Sequence, residues 1–202
     1  MFPVDSFRAT LDKFVAILRQ HAIRFHLTGG ITSVTYGEPR LTQDIDIVIC
    51  NQAVVSRIEA FIASLDESEF IFDAGAVRRA VAQRDMFQLL DSIEALKLDI
   101  YPREMIPGEL DRSQSVEVFE GVELPMASRA DAAASKLVWI SKGSHKSRRD
   151  LRQIFRSGLD SDRELVRGLA RQLELESLLD EVLSESDEIH DGGTLRWNST
   201  TR

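Results

Sequence analysis

The chain has 202 residues, and 43% of them are hydrophobic, which is enough apolar material for one α/β core with a smaller helical appendage. Its formal net charge of −8 excludes a protein that coats nucleic acid through bulk positive charge, because affinity of that kind comes from neutralised phosphates. The sequence has no apolar run long enough for a membrane span, no secretory signal and a single cysteine, Cys50, so we expect a cytoplasmic protein without an internal disulfide, a Cys/His metal cluster or a membrane partner.

The first half of the chain predicts alternating helices and strands. Apolar residues from Phe7 to Leu18 recur with helical spacing, and we expect this first helix to end near His21. A strand at residues 24–28 then alternates side chains and stops at a glycine pair. The elements predicted next are a helix at 31–36, a turn at 37–39, a strand at 44–50, a helix at 54–65, a short strand at 70–72, a helix at 74–82 and a hairpin of strands 86–90 and 95–101.

The second half becomes helical after a small predicted hairpin at residues 116–124. Ser128 followed by Asp131 resembles a capping box, and it opens a predicted helix that Gly143 interrupts. The helices predicted here are at 129–142, at 145–157, from Ser161 or Asp162 onward, and at 173–183. The domains predicted are an α/β domain at 1–125, a helical lobe at 126–188 and a disordered tail at 189–202.

Two aspartates, Asp44 and Asp46, stand at the start of the apolar strand at 44–50. Residues two apart on a strand point to the same face, so these carboxylates project together with their Cα atoms roughly 7 Å apart. Burying ionised carboxylates is costly unless a cation neutralises them, and oxygen ligands at this spacing suit Mg²⁺. The alternative is that the two aspartates cap the strand end or pair with Arg40.

A third acidic residue, Asp99, lies in the predicted strand at 95–101, on the same face as Lys97 and Tyr101. If this strand lies beside the strand of Asp44, three carboxylates converge, and two metal ions about 3.5–4 Å apart could clamp an attacking and a leaving oxygen. The alternative is a salt bridge from Asp99 to Lys97 or Arg103.

The glycine pair Gly29-Gly30 ends the first strand and opens a predicted helix. Exposed backbone N–H groups and the positive end of the helix dipole are therefore available to a phosphate, and Thr32 or Ser33 adds a hydroxyl. The alternative is a simple turn. The pair matches neither the Walker pattern nor the dinucleotide fingerprint, which disfavours both of those protein classes.

Residues 136–156 form the one basic segment of this acidic chain, with a net charge of +6 when His145 is counted as neutral. Such a segment is either a solvated helix face or a wall that faces phosphates.

These motifs in combination resemble the nucleotidyltransferase superfamily that includes DNA polymerase β. The resemblance rests on Gly29-Gly30, on "R-x-T-x-D-I-D" from Arg40 to Asp46, and on the later Asp99. A glycine pair in "TGG" most resembles the AbiEii/AbiGii-type toxin nucleotidyltransferases, and "ASKLVWISKGSHKSRRDLRQI" resembles the helical segment of that group. The similarity covers about residues 20–157. It implies an α/β (α+β) fold, with a polymerase β-like mixed sheet flanked by helices and a C-terminal helical lobe.

The resemblance also implies roles for the acidic residues and the glycines. Gly29 and Gly30 cradle the triphosphate, and Asp44 and Asp46 hold the Mg²⁺ of the nucleotide. Asp99 binds the second metal and helps to deprotonate the acceptor hydroxyl. Gly30 stands where other branches of the superfamily have a serine, so the hydroxyl that contacts phosphate there is missing.

The remaining residues of the predicted nucleotide-binding set are Thr32, Arg40, Thr42, Lys136 and Asp150. The resemblance implies that the lysine contacts phosphate and that the last aspartate completes the nucleotide pocket from the helical lobe. The alternatives are that the lysine only extends its charged end to water, and that the aspartate pairs with the lysine four residues before it.

The function that the resemblance implies is Mg²⁺-dependent transfer of a nucleoside monophosphate from an NTP to a hydroxyl acceptor. A toxin of this group is expected to act on tRNA or on protein and to have a cognate antitoxin. The enzymatic alternative is an antibiotic-type nucleotidyltransferase with a small-molecule acceptor. Two non-catalytic functions also fit the sequence: an inactive module that binds nucleotide or a partner, and a helical adaptor built on residues 128–183.

Overall fold

A computed structural model of the protein describes residues 4–38 and 44–186. Seven strands in these residues form one mixed sheet in the order β3-β4-β5-β2-β1-β7-β6. Their bounds are β1 Phe25–Thr28, β2 Asp44–Ile49, β3 Phe70–Ile71, β4 Phe87–Asp91, β5 Lys97–Tyr101, β6 Gln114–Phe119 and β7 Val122–Met126. The predicted α/β fold class is confirmed.

Helices occur both between the strands and after them. The helices of the described residues are α1 Val4–Gln20, α2 Gly30–Tyr36, α3 Asn51–Val55, α4 Ile58–Glu67, α5 Ala74–Gln83, α6 Arg129–Ser141, α7 Lys146–Ser157, α8 Asp160–Gln172 and α9 Glu176–Ser184. Ser128 caps α6 by accepting a hydrogen bond from the backbone of Asp131, as the sequence predicted. No helix in the described ranges combines the length and the apolar character that crossing a bilayer requires.

The centre of the sheet positions the acidic residues. β2 pairs with β1 in antiparallel orientation and with β5 in parallel orientation. The two predicted hairpins are confirmed, because β4 pairs with β5 and β6 pairs with β7 in antiparallel orientation. Two neighbouring parallel strands therefore carry the three aspartates that the sequence singled out.

Two sequence-based expectations were wrong. The helix predicted at 54–65 is two helices, which separate at Ser56 and Arg57, where Arg57 donates a hydrogen bond of 2.5 Å to the backbone carbonyl of His21. The alternation predicted for β1 is also absent, since all four of its residues are buried. β1 lies between β2 and β7 in the sheet, and its polar side chains His26 and Thr28 are buried as well.

The sheet and the C-terminal helices share one hydrophobic core. That core includes Phe14 of α1, Ile47 of β2, Leu98 of β5, Leu137 of α6 and Leu151 of α7. The division into domains at residue 125 stays a prediction, and the predicted tail at 189–202 lies outside the described residues.

Candidate active site

The parallel pairing of β2 with β5 aligns the acidic residues. Asp46 lies opposite Asp99 in the register, and Asp44 lies opposite Lys97. Neighbouring strands lie about 4.8 Å apart, and residues opposite each other point to the same face, so the three carboxylates share one side of the sheet. All three line a single cleft with a volume of about 230 Å³.

The carboxylate of Asp99 has protein partners on two sides. Nζ of Lys97 lies 2.8 Å from Oδ2 of Asp99 and 3.8 Å from Oδ2 of Asp44. The amide of Gln88 donates to the other Asp99 oxygen at 3.0 Å. The salt bridge to Lys97, which the sequence left as an alternative, is therefore present. The hydrogen bond to Asp99 raises the pKa of Lys97, so this lysine stays charged.

The protein environment raises the pKa of the carboxyl group of Asp46. Burial first, and then the carboxylates of Asp44 and Asp99, raise its pKa to about 6. The backbone N–H of Gly30, 3.4 Å from Oδ2, opposes that rise. The hydroxyl of Tyr101 donates to Oδ1 at 3.3 Å, and burial, followed by the charge of Asp46, raises the pKa of this phenol.

The glycine pair touches the aspartates directly. Gly29 has a φ of +68°, in the left-handed region, and a Cβ at this position would lie 1.9 Å from Oδ2 of Asp46. A side chain at residue 29 is therefore excluded by both conformation and space. The hydroxyls of Thr32 and Ser33 donate to the carbonyl of Gly29, at 2.9 and 3.1 Å. Thr32 is buried there, and the structure does not bring it to the cleft.

The helices α6 and α7 supply the opposite wall. Lys136 is buried on α6, and its Nζ lies 3.1 Å from Oδ2 of Asp150 on α7. Asp150 also accepts a hydrogen bond of 3.0 Å from the hydroxyl of Ser33. Lys136 lines the cleft, whereas Asp150 lies behind it. Asp150 therefore pairs with Lys136 rather than with Lys146, which was the alternative, and it holds the lysine in place.

Five cleft residues were missed by sequence reasoning. Four of them lie in or between α6 and α7, where an aromatic residue is usually core and a polar one is usually surface, so nothing in the sequence distinguished them. The complete lining is Gly29, Gly30, Asp44, Asp46, Asp99, Tyr101, Lys136, Trp139, Ser144, Lys146 and Ser147, of which Tyr101, Trp139, Ser144, Lys146 and Ser147 are the additions.

Three arginines of the basic segment at 136–156 pair with acidic residues that are distant in sequence. Arg148 and Arg152 both pair with Glu185, which follows α9, and Arg149 pairs with Glu38 at 2.6 Å. The part that faces the cleft is Lys136 and Lys146. Arg40 and Thr42, which belong to the predicted nucleotide-binding set, lie outside the described residues.

The donor set at the cleft fits a hard divalent cation. Within residues 4–38 and 44–186, no three His, Cys, Asp or Glu side chains are arranged as a ready metal site. The ammonium of Lys97 lies close to the carboxylates of Asp99 and Asp44. Burial, followed by the charges of Asp44 and Asp99, raises the pKa of Asp46. Carboxylate oxygens with excess negative charge are the ligands that Mg²⁺ prefers.

Comparisons with known proteins identify relatives of this chain by family and by fold. A family model described as "Nucleotidyl transferase AbiEii toxin, Type IV TA system" matches residues 14–200. A search of curated proteins gives no match.

Similar solved structures share the fold at low sequence identity. A solution structure of the antibiotic-resistance factor ANT(2'')-Ia has a TM-score of 0.55 and 13% identity, and the match covers 90% of this chain and 100% of that one. A crystal structure of ANT(2")-Ia with adenylyl-2"-tobramycin has a TM-score of 0.55 and 12% identity, over 82% of this chain and 97% of that chain. An antigenic nucleotidyltransferase-like protein from Paracoccidioides brasiliensis has a TM-score of 0.51 and 14% identity, over 87% and 93%.

Proposed function

This chain belongs to the AbiEii nucleotidyl transferase toxin family of type IV toxin–antitoxin systems and is an enzyme of the nucleotidyltransferase type, and from that premise we propose that it transfers a nucleoside monophosphate from an NTP to a hydroxyl at the end of an RNA, with tRNA as the first candidate. One observation carries the proposal. Asp44 and Asp46 of β2 and Asp99 of β5 line one cleft beside Gly29 and Gly30.

The nucleotide is held by both walls of the cleft. Gly29 and Gly30 have no side chains, so a triphosphate can approach the backbone closely. Lys136 reaches the cleft from α6 with its ammonium held by Asp150, and it contributes a positive charge toward the phosphates. Arg40 and Thr42 remain predicted nucleotide-binding residues, whereas Thr32 would act only indirectly, through its hydrogen bond to the carbonyl of Gly29.

Mg²⁺ is the proposed cofactor, in a two-metal arrangement. Asp44 and Asp46 would hold the ion that accompanies the nucleotide, and Asp99 would hold the second together with the residues of β2. When bound, the ions neutralise the charge that develops on the phosphoryl oxygens.

In the reaction, the acceptor oxygen forms a bond to the α-phosphorus as the bond from that phosphorus to the bridging oxygen of the β-phosphate breaks. Pyrophosphate leaves with the electron pair of the broken bond. The carboxylate of Asp99 accepts the proton of the attacking hydroxyl. To do so, either Oδ1 must give up its hydrogen bond from Gln88 or Oδ2 must give up its hydrogen bond from Lys97. Most of the rate enhancement comes from position and charge, since the protein forms no covalent intermediate.

An RNA acceptor is favoured by the charge around the cleft. Lys146 lines the cleft, and Lys142 lies over the ring of Trp139 with its Nζ 5.2 Å from the ring centroid. Both lysines are exposed, and a local contact of this kind suits a phosphate backbone despite the net charge of −8. A cognate antitoxin and a location in the cytoplasm, where NTP and tRNA occur together, belong to the same proposal.

The experiment is to incubate the protein with each labelled NTP, Mg²⁺ and cell fractions of RNA, protein and metabolites. We expect label in the RNA fraction, with pyrophosphate released in equal amount and transfer that weakens as salt rises. Label in protein or on an aminoglycoside would redirect the acceptor assignment. Absence of label in every fraction, together with absence of NTP binding by calorimetry, would overturn the proposal in favour of a non-catalytic module.

A further inference from the structure

Most of the residues that line the cleft are polar or charged. Its eleven lining residues are three aspartates, two lysines, two serines, two glycines and two aromatic residues, Tyr101 and Trp139. The hydroxyl of Tyr101 donates to Asp46, so this ring is part of the acidic wall. Trp139 is therefore the residue that offers a planar apolar surface on the basic wall.

The side chain of Trp139 lines the cleft and is accessible to solvent. It is 36% exposed, and it is the one aromatic residue among the exposed large hydrophobic side chains of the described ranges. No hydrogen bond joins its indole N–H to another described residue. The ring also borders a second cavity of about 20 Å³ together with Met105 and Ser135. Its exposed part is a planar apolar surface inside a charged cleft, and a planar ligand that covers this surface removes it from water.

The position of Trp139 on α6 fixes what such a ligand must contain. Trp139 follows Lys136 by three residues, so both side chains lie on the same face of the helix. Lys136 is held by Asp150, and Lys142 lies over the indole ring. A ligand that spans the cleft thus meets positive charge next to a flat aromatic surface, and carboxylates that suit a divalent ion opposite them. A nucleotide has this combination of phosphate and planar base.

We propose that Trp139 is the residue that stacks on the nucleobase of the bound NTP and sets the affinity for nucleotides. The proposal rests on the proposed function, because it places the NTP in the same cleft. Aromatic stacking is tolerant of base identity, so Trp139 is expected to accept both purine and pyrimidine nucleotides.

The first test uses the tryptophan itself as the probe. The chain has two tryptophans, and the substitution Trp197→Phe leaves Trp139 as the single one. This variant is titrated with ATP and, separately, with inorganic tripolyphosphate, both with Mg²⁺. We expect ATP to quench the emission of Trp139, and we expect the fluorescence titration to give the same dissociation constant as calorimetry. Tripolyphosphate is expected to bind without quenching.

The second test removes the aromatic face. Trp139→Leu is expected to weaken ATP binding by about 5- to 150-fold, as for the loss of one base stack. Trp139→Phe is expected to retain most of the affinity, and the affinity for tripolyphosphate is expected to be the same in all three proteins. Thermal melting of each variant checks that it is folded, and the quenching test needs no change at residue 139.

Two results would overturn the inference while leaving the proposed function in place. One is ATP binding, measured by calorimetry, that leaves the emission of Trp139 unchanged. This result counts against the inference even if RNA quenches the emission of Trp139. The other is an unchanged ATP affinity in a folded Trp139→Leu protein. If the unmodified protein binds no NTP at all, the proposed function fails together with the inference.

Discussion

Nζ of Lys97 lies 2.8 Å from Oδ2 of Asp99, two residues further along the same strand. The same ammonium lies 3.8 Å from Asp44, so one lysine supplies positive charge to two of the three cleft carboxylates. Under the proposed function, a divalent ion bound to these carboxylates would compete with this lysine as their counter-charge.

The substitution Lys97→Met should therefore increase the affinity of the protein for Mn²⁺. The side chain of Lys97 is 40% exposed, and half-exposed ion pairs contribute about 1 kcal/mol or less, so we expect binding about two- to fivefold tighter. Electron paramagnetic resonance of free Mn²⁺ measures this directly. Lys142→Met is the control, since Lys142 forms no ion pair with another described residue. Unchanged or weaker Mn²⁺ binding by Lys97→Met would contradict the prediction.

Asp46→Asn and Asp99→Asn should abolish nucleotidyl transfer without unfolding the protein. Each change removes a charged oxygen that lines the cleft, and losses of about 10²-fold or more are typical for a group that stabilises the transition state. The measurement is labelled transfer to RNA, with circular dichroism to verify the fold. Asp66→Asn removes an exposed carboxylate from α4 and serves as the control. Activity that survives in both cleft variants would exclude this catalytic assignment.

Asp46 should make the metal-free protein less stable as pH rises through about 6. Its pKa is about 6 in the folded protein against 3.8 for the ordinary side chain, so the folded state holds the proton more tightly. The associated stability is present below about pH 4 and is lost as pH rises through 6.

The variant Asp46→Asn should lack the pH dependence of stability that the carboxyl group of Asp46 causes. One pKa unit corresponds to about 1.4 kcal/mol, so this variant should exceed the original protein in stability at pH 8 by on the order of 2–3 kcal/mol. The difference should vanish near pH 4. Urea unfolding at several pH values in the presence of a chelator measures it, and a gap between the two proteins that does not change with pH would show that Asp46 is not the group responsible.

Gly29→Ala should damage both stability and activity. The new Cβ would lie 1.9 Å from Oδ2 of Asp46, and the φ of +68° disfavours any side chain. We expect a loss of about 2 kcal/mol or more in the free energy of unfolding, with displacement of Asp46. Gly168→Ala is the matched control, because Gly168 is inside α8 with nothing within 4 Å of its added Cβ. That change should stabilise the protein by about 0.5–1 kcal/mol. Equal effects of the two substitutions in urea unfolding would refute the steric account.

The acidic wall could be predicted from the sequence because charge in an apolar strand is rare. Asp44, Asp46 and Asp99 each stand out for this reason, and the family resemblance links them. Their meeting depends on the parallel register of β2 with β5, which joins segments about fifty residues apart. Pairing at that distance leaves no local signal in the sequence, so it had to be seen in the structure.

The basic wall could not be predicted in the same way. Trp139 and Lys146 lie on helices, where an aromatic residue is usually core and a lysine is usually solvated. The segment at 136–156 shows a net positive charge, but three of its four arginines pair with Glu38 or Glu185, which are distant in sequence. The charge that remains at the cleft is therefore smaller than the sequence indicates, and only tertiary structure distinguishes the two parts.

The ribosome synthesises the acidic wall of the cleft before the basic wall. The glycines and all three carboxylates precede the end of β7 at Met126, whereas Lys136 and Trp139 follow it. A polypeptide still attached to the ribosome, with only its first seven strands exposed, has an acidic sheet face and nothing opposite it. Under the proposed function, the nucleotide pocket is therefore complete only after α6 has been synthesised and has docked against the sheet.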